Sequence, residues 1–322
     1  MNFPLFRRPG SVVFLDDDSD YLDSLAMVLP RHWPVRLFTR PAQCIHHLHR
    51  EIRLWEIDLC SHHQMIDLWR QGKSLIPQIL TYWSRNTERH ALTHVCVVDF
   101  SMPGMDGLQV LSELAGWPGR RVLLTGQADE RVAVGAFNRG LIDHFIPKQT
   151  DDIARQVTEV IQTQSDRAQE RHDLVWRATF RPDQLALLGD ADIRGALQAF
   201  FARHWVEYAV IGQPFGAIGL DAAGHASWLQ LETREGLEGM AELAGLQGLE
   251  GQALQDIRKG RSLVSIELRQ ALDLHGAGAP VPAFHPGGSG LLLAALCPVP
   301  QSALPAPVMG HHEWLARHQA GS

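Results

Sequence analysis

Lysine is almost missing from this chain: Lys73, Lys148 and Lys259 are the only three in 322 residues, and arginine supplies the remaining 26 of 29 basic side chains. An arginine-biased composition keeps a lysine where a compact, rotatable ammonium is wanted instead of a planar fork. Cysteine is scarce as well. Cys44, Cys60, Cys96 and Cys297 include no Cys-x-x-Cys pair, which leaves free thiols in a reducing cytosol as the expectation. No apolar run approaches the roughly 18–20 residues of a membrane span. Arg7 and Arg8 are not followed by the apolar stretch of about 7–15 residues that a signal peptide needs. The expected location is therefore cytoplasmic. There is no Walker loop, no glycine-rich ATP lid, no His-Asp phosphohydrolase pair and no cyclic-dinucleotide signature. The cluster Gly287-Gly288-Ser289-Gly290 reads as a hairpin turn. Positive charge is short too: the net charge is −7, and from Leu174 onward 10 Arg+Lys face 14 Asp+Glu. A DNA reader normally carries a basic face, so this argues against DNA binding.

What the chain does have is a set of short apolar runs that stop on chemically useful residues. Residues 95–98 are Val-Cys-Val-Val and end on Asp99, followed by Pro103, Gly104 and Gly107. Such a run reads as a buried parallel strand delivering a carboxylate to the edge of a sheet, with Asp106 capping the helix that begins near Leu108. Residues 11–15 form a second such strand and end on Asp16-Asp17-Asp18. Adjacent carboxylates raise one another's pKa unless a cation neutralises them, which suggests a hard divalent ion; helix capping by Asp18 or Ser19 is the competing explanation. Residues 121–124 end on Thr125, and residues 142–147 end on Lys148.

In that order, Asp16/Asp17, Asp99, Thr125 and Lys148 resemble the receiver domain of bacterial two-component response regulators, closely over residues 12–29 and 95–148. The resemblance implies an α/β fold: a doubly wound, five-stranded parallel sheet of flavodoxin-like type. It makes Asp99 the phosphoacceptor. Asp16, Asp17, Asp99 and the Ser101 carbonyl would hold Mg²⁺ (or Mn²⁺), Thr125 and Lys148 would contact the phosphoryl group, and Thr125 and Phe145 would act as the switch pair. The implied partner is a sensor histidine kinase or a phosphotransfer protein. An aspartyl phosphate is labile, so the expectation is a signalling phosphoprotein in a phosphorelay, not a turnover enzyme. Two features depart from the family. Gln149 follows Lys148 where proline is usual, with Pro147 before it. Ser101 and Gln127, at positions that tune phosphoryl lifetime, are polar and modest in size.

The receiver is expected over residues 10–150, with a long insertion at 41–93. There Ile45, Leu48, Ile52, Trp55, Leu59, His62, Ile66 and Trp69 repeat at heptad spacing, giving a helix about 36 Å long before a break at Gly72-Lys73. Ser74 caps the return helix, and Ile76, Ile79, Leu80 and Trp83 form its apolar face. This helical hairpin is too short on its return side to cover the stripe, so an exposed remainder is expected to serve a protein partner or homodimer. His46, His47, His49, His62 and His63 read as a polar helix face, since no carboxylate or cysteine pair completes a metal set. Residues 151–175 are expected as a linker helix, polar all round from 162 to 173. Residues 176–305 are expected as an α+β output domain whose order of elements is shared with PAS-like modules, and 306–322 as a tail. The functional expectation is a response regulator acting through the insertion and the C-terminal domain on other proteins. The alternative is a C-terminal domain with a small ligand or an enzymatic output, and DNA-binding regulation ranks below both.

Overall fold

The computed structural model describes residues 3–126 and 130–319. It begins with strand β1 (Phe6–Arg7), then β2 (Ser11–Leu15), α1 (Ser19–Val28), β3 (Val35–Phe38), α2 (Pro41–Arg70), α3 (Leu75–Arg85) and β4 (Thr93–Asp99). It continues through α4 (Gly107–Glu113), β5 (Arg120–Thr125), α5 (Glu130–Asn138), β6 (His144–Pro147), α6 (Ile153–Ala168), α7 (Glu170–Arg177), α8 (Pro182–Gly189) and α9 (Ala191–His204). The remainder is β7 (Glu207–Gly212), β8 (Phe215–Leu220), β9 (Ala226–Thr233), α10 (Leu237–Leu246), α11 (Gln252–Arg258), β10 (Ser262–Leu263), α12 (Ile266–Ala271), β11 (Val281–Pro282), β12 (Leu292–Pro298) and α13 (His311–Gln319). No helix of the described residues is long and apolar enough to cross a membrane.

Two compact units result. One comprises residues 9–61 and 88–171; the other comprises the chain through Arg8, His62–Thr87 and everything from His172. This departs from the expected division at 150 and 175. The first unit is built on a parallel sheet in the order β3-β2-β4-β5-β6. Every residue of β2 and β4 is buried, as strands covered on both faces must be, and their unbroken apolar runs follow from it. One face packs Val13, Leu15, Cys96 and Val98 against Val110 and Leu111 of α4 and Leu114 just after it. The other packs Val12, Phe14, Val95 and Val97 against Leu22 and Leu25 of α1 and Val157 and Ile161 of α6.

The heptad stripe is used inside the chain. Ile45, Leu48 and Ile52 join the first of those cores, Trp55 packs with Leu92 and Ala168, and none of the eight stripe residues is exposed. The apolar side chains that α2 does expose, Leu54 and Ile57, lie off the stripe. The exposed remainder expected for a partner is therefore not there.

In the second unit the sheet is antiparallel, ordered β1-β7-β8-β9-β12. It contains the antiparallel hairpin β8–β9, with β12 paired along the outer side of β9. The strands β1 and β7, paired Phe6 to Ala209 and Arg7 to Tyr208, were not expected, and β1 brings the start of the chain into a sheet otherwise made after residue 206. The short strand β10 stops at Leu263, and Ile266 opens α12. The expected tail contains α13, whose Trp314 and Leu315 are buried and whose His312 amide donates to the Ala222 carbonyl at 3.0 Å. The stretch expected to be solvated all round also has a packed side: Gln164, Ala168, Gln169 and His172 are buried, and the helix is interrupted at Gln169.

Candidate functional site

The C-terminal edge of the parallel sheet collects the residues that end each apolar run. Asp16 follows β2, Asp99 closes β4, Thr125 closes β5 and Lys148 follows β6. Parallel pairing in register makes this unavoidable, since four strands running the same way finish at the same edge. The loops are pinned. The Phe100 amide donates to the Leu124 carbonyl at 2.9 Å and the Lys148 amide to the Thr125 carbonyl at 2.8 Å. Asp106 caps α4 reciprocally with Gln109, as a capping box does. Gly107 sits so close beneath Asp99 that a Cβ there would stand 2.2 Å from the Asp99 carbonyl oxygen.

Asp16 and Asp99 are buried and Asp17 is exposed, and carboxylate oxygens of all three lie within 4.8 Å of one another. Lys148 Nζ bridges the two buried ones, 2.7 Å from Asp16 Oδ2 and 2.7 Å from Asp99 Oδ1. Asp16 Oδ1 accepts the Asp18 amide at 3.0 Å, and Asp99 Oδ2 accepts the Ser101 amide at 3.1 Å. Burial holds the Asp16 carboxyl above the ordinary range, against the pull of the Lys148 hydrogen bond and the Asp18 amide. Burial works against the Lys148 ammonium too, yet its hydrogen bonds to Asp16 and Asp99 leave its pKa raised. Lys148 is thus a fixed cation. The run of three aspartates divides its labour: Asp16 and Asp17 join the cluster, while Asp18 caps α1 by accepting the Tyr21 amide at 3.0 Å.

Thr125 is fully buried, and its Oγ1 has no hydrogen-bond partner among the described residues. A buried hydroxyl left unpaired costs about 1–3 kcal/mol. Three ionised carboxylates against one ammonium leave a formal charge of −2. All the ligand atoms on offer are hard oxygens, so the residues present fit a divalent cation of the Mg²⁺ type. Phe145 is half-buried against the core on the α4 side of the sheet. The Lys148–Gln149 peptide bond is trans, so glutamine takes the proline position without a cis linkage. Gln127 lies outside the described residues.

The insertion histidines do not converge among themselves. His46 and His63 are exposed, His49 Nε2 binds the Glu113 carbonyl at 3.0 Å, and His47 pairs with Glu51 at 3.1 Å. His62 Nδ1 accepts the Trp176 indole N–H at 3.1 Å. One site residue escaped sequence reasoning. Tyr21, read only as part of an apolar helix face, lies with its ring centroid 4.6 Å from Lys148 Nζ. The available signal was an aromatic side chain in the first turn after the acidic run.

This arrangement, a doubly wound five-stranded parallel sheet with an acidic cluster and one lysine at its C-terminal edge, is the fold of a response-regulator receiver domain. Among solved structures, the response regulator LqsR of Legionella pneumophila superposes with a TM-score of 0.72 at 22% identity, over 98% of this chain and 97% of that one. The likeness thus runs through both units. Two isolated receiver domains also match. One, from Clostridium thermocellum, has a TM-score of 0.32 at 16% identity over 49% of this chain and 95% of that one. The other, from a putative Luxo repressor protein of Vibrio parahaemolyticus, has a TM-score of 0.36 at 15% identity over 52% and 97%. No protein-family model matches the chain, and no curated protein matches it.

Proposed function

We propose that this chain is a response regulator switched by phosphorylation of Asp99, and that its output is a change in protein–protein contacts. The observation that carries the reading is the bridging of Asp16 and Asp99 by Lys148, at the sheet edge where Thr125 closes β5 with an unpartnered hydroxyl. An aspartate is a weak nucleophile, and phosphoryl transfer to it depends on position and charge neutralisation. In the proposed reaction an Asp99 carboxylate oxygen attacks phosphorus. The bond from phosphorus to the imidazole nitrogen of a histidine kinase or phosphotransfer protein breaks, and the departing imidazole keeps the bonding pair and takes up a proton. Asp16, Asp17, Asp99 and the Ser101 carbonyl would hold Mg²⁺ (or Mn²⁺), which supplies neutralisation of the phosphoryl oxygens. Lys148 offsets charge from the other side, and Thr125 donates to the new phosphoryl oxygen, drawing its loop and Phe145 inward. The acidic composition from Leu174 onward supports protein contacts over DNA as the output.

Incubation of the full chain with a small acyl phosphate tests this. Mass spectrometry should find one phosphoryl group on the wild type only with a divalent ion present, none on Asp99→Asn, and a higher Mg²⁺ requirement for Asp17→Ala. Labelling of Asp99→Asn to the wild-type level, or labelling indifferent to a chelator, would overturn the assignment.

A further inference from the structure

Lys148 is held on two sides by carboxylates, and Tyr21 stands on a third. Its ring centroid is 4.6 Å from Nζ, within the roughly 6 Å at which the negative face of an aromatic ring attracts a cation. The ring's own position is fixed at both ends. The Tyr21 amide is bound by Asp18, whose amide in turn donates to Asp16, and the half-buried side chain packs against the core on the α1 side of the sheet. A third carboxylate in this place would add negative charge to a cluster already at a formal −2. An aliphatic side chain would offer the ammonium nothing. A neutral ring with a negative face satisfies the cation without either cost.

We propose that Tyr21 is a positioning residue for the Asp99 site, its ring face holding the Lys148 ammonium at Asp99 when a phosphoryl group arrives. The inference rests on the reading of Asp99 as phosphoacceptor and adds a residue to it. In the resting protein the ammonium is divided between Asp16 and Asp99. A divalent ion entering at Asp16 competes with Lys148 for that carboxylate. A lysine released from Asp16 has a flexible four-carbon stem and its own route to solvent. The ring is anchored to α1 and does not leave with Asp16, so it keeps the ammonium over Asp99.

The scarcity of lysine makes the test direct. With lysine labelled selectively at the ε carbon, the full chain gives three ε-methylene signals, and the Lys148 signal should carry a ring-current displacement. That displacement should persist in Tyr21→Phe and vanish in Tyr21→Leu and Tyr21→Met, without any phosphoryl donor present. At saturating Mg²⁺, the maximal rate of Asp99 phosphorylation should stay within about twofold of wild type in Tyr21→Phe and fall about 3- to 10-fold in the Leu and Met variants. Whichever aliphatic variant keeps the wild-type melting temperature is the one read. A rate unchanged in that variant, a Lys148 signal without ring-current displacement, or a Phe variant as slow as the aliphatic ones would overturn the role of the ring while leaving Asp99 intact. A wild type that takes up no phosphoryl group while Lys148 shows the displacement would instead remove the phosphoacceptor reading, and the positioning role with it.

Discussion

Gly107→Ala should damage the site through the backbone alone. Gly107 is the first residue of α4, its amide donates to the Phe100 carbonyl at 2.9 Å, and its missing side chain is what allows the helix to start against the end of β4. An added Cβ would meet the Asp99 carbonyl oxygen at 2.2 Å, and both the Asp99 carbonyl carbon and the Phe100 Cα at 3.0 Å. All three are main-chain atoms at the end of β4 or in the residue after it, so no side chain can swing aside. Restoring ordinary contact at 3.4 Å requires the helix and strand ends to part by about 1.2 Å. Overpacking of this kind costs about 1–3 kcal/mol, and at about 3–5 °C per kcal/mol for a unit of this size the melting temperature should fall by about 3–15 °C. Calorimetry of the full chain measures it. Gly135→Ala is the control: nothing lies within 4 Å of its Cβ direction and it sits inside α5, so alanine should add about 0.5–1 kcal/mol. If Gly107→Ala melts at or above the wild type while Gly135→Ala behaves as stated, the close approach of α4 to Asp99 is not what the structure says it is.

Two further outcomes follow from the same geometry. Beryllofluoride with Mg²⁺, a mimic of the aspartyl phosphate, should change amide-exchange protection across residues 162–173, and Thr125→Ala should suppress that change more than it suppresses phosphorylation; identical protection with and without the mimic would place the output elsewhere. Burial raises the Glu232 carboxyl above its ordinary range, so its favourable contribution is complete below the unfolded-state pKa and is lost as pH rises through the raised value. Glu232→Gln, which keeps an acceptor for the Thr233 amide now bound at 2.8 Å, should therefore stabilise the protein at pH 7, with the advantage shrinking towards pH 4; a difference in melting temperature that is flat across that range would refute the titration.

The parallel-sheet unit was legible because each of its strands is a local object. An apolar run that stops on Asp16, Asp99, Thr125 or Lys148 carries its boundary and its chemistry within a few residues, and parallel pairing does the rest. The antiparallel unit was legible only in part. Strand β1 has two residues and exists because Phe6 and Arg7 find Ala209 and Tyr208, a pairing no local pattern encodes. The heptad stripe was read correctly as helix and misjudged as surface. Helical spacing shows which side is apolar, but the covering groups for Trp55 come from Leu92 and Ala168, which are distant in sequence. The polar run 162–173 erred in the opposite sense, because Gln164, Gln169 and His172 are buried despite their chemistry. Tyr21 was visible as an aromatic on a helix, but Lys148 lies after β6, far along the chain, and only the parallel pairing of the strands brings the two together.

The strand β1 has a consequence for how the protein comes into being. During synthesis the first residues leave the ribosome long before β7 does, yet β7 is the strand they pair with, and the sheet is closed on its other side only by β12 at Leu292–Pro298. Residues 9–61 and 88–171 have everything they need for a core once α6 has emerged. The leading segment must wait with its pairing edge open until some two hundred more residues are made. A fragment cut at 176 as a separable output module would lack β1 and α3 together, although both belong to the same unit as the strands it keeps.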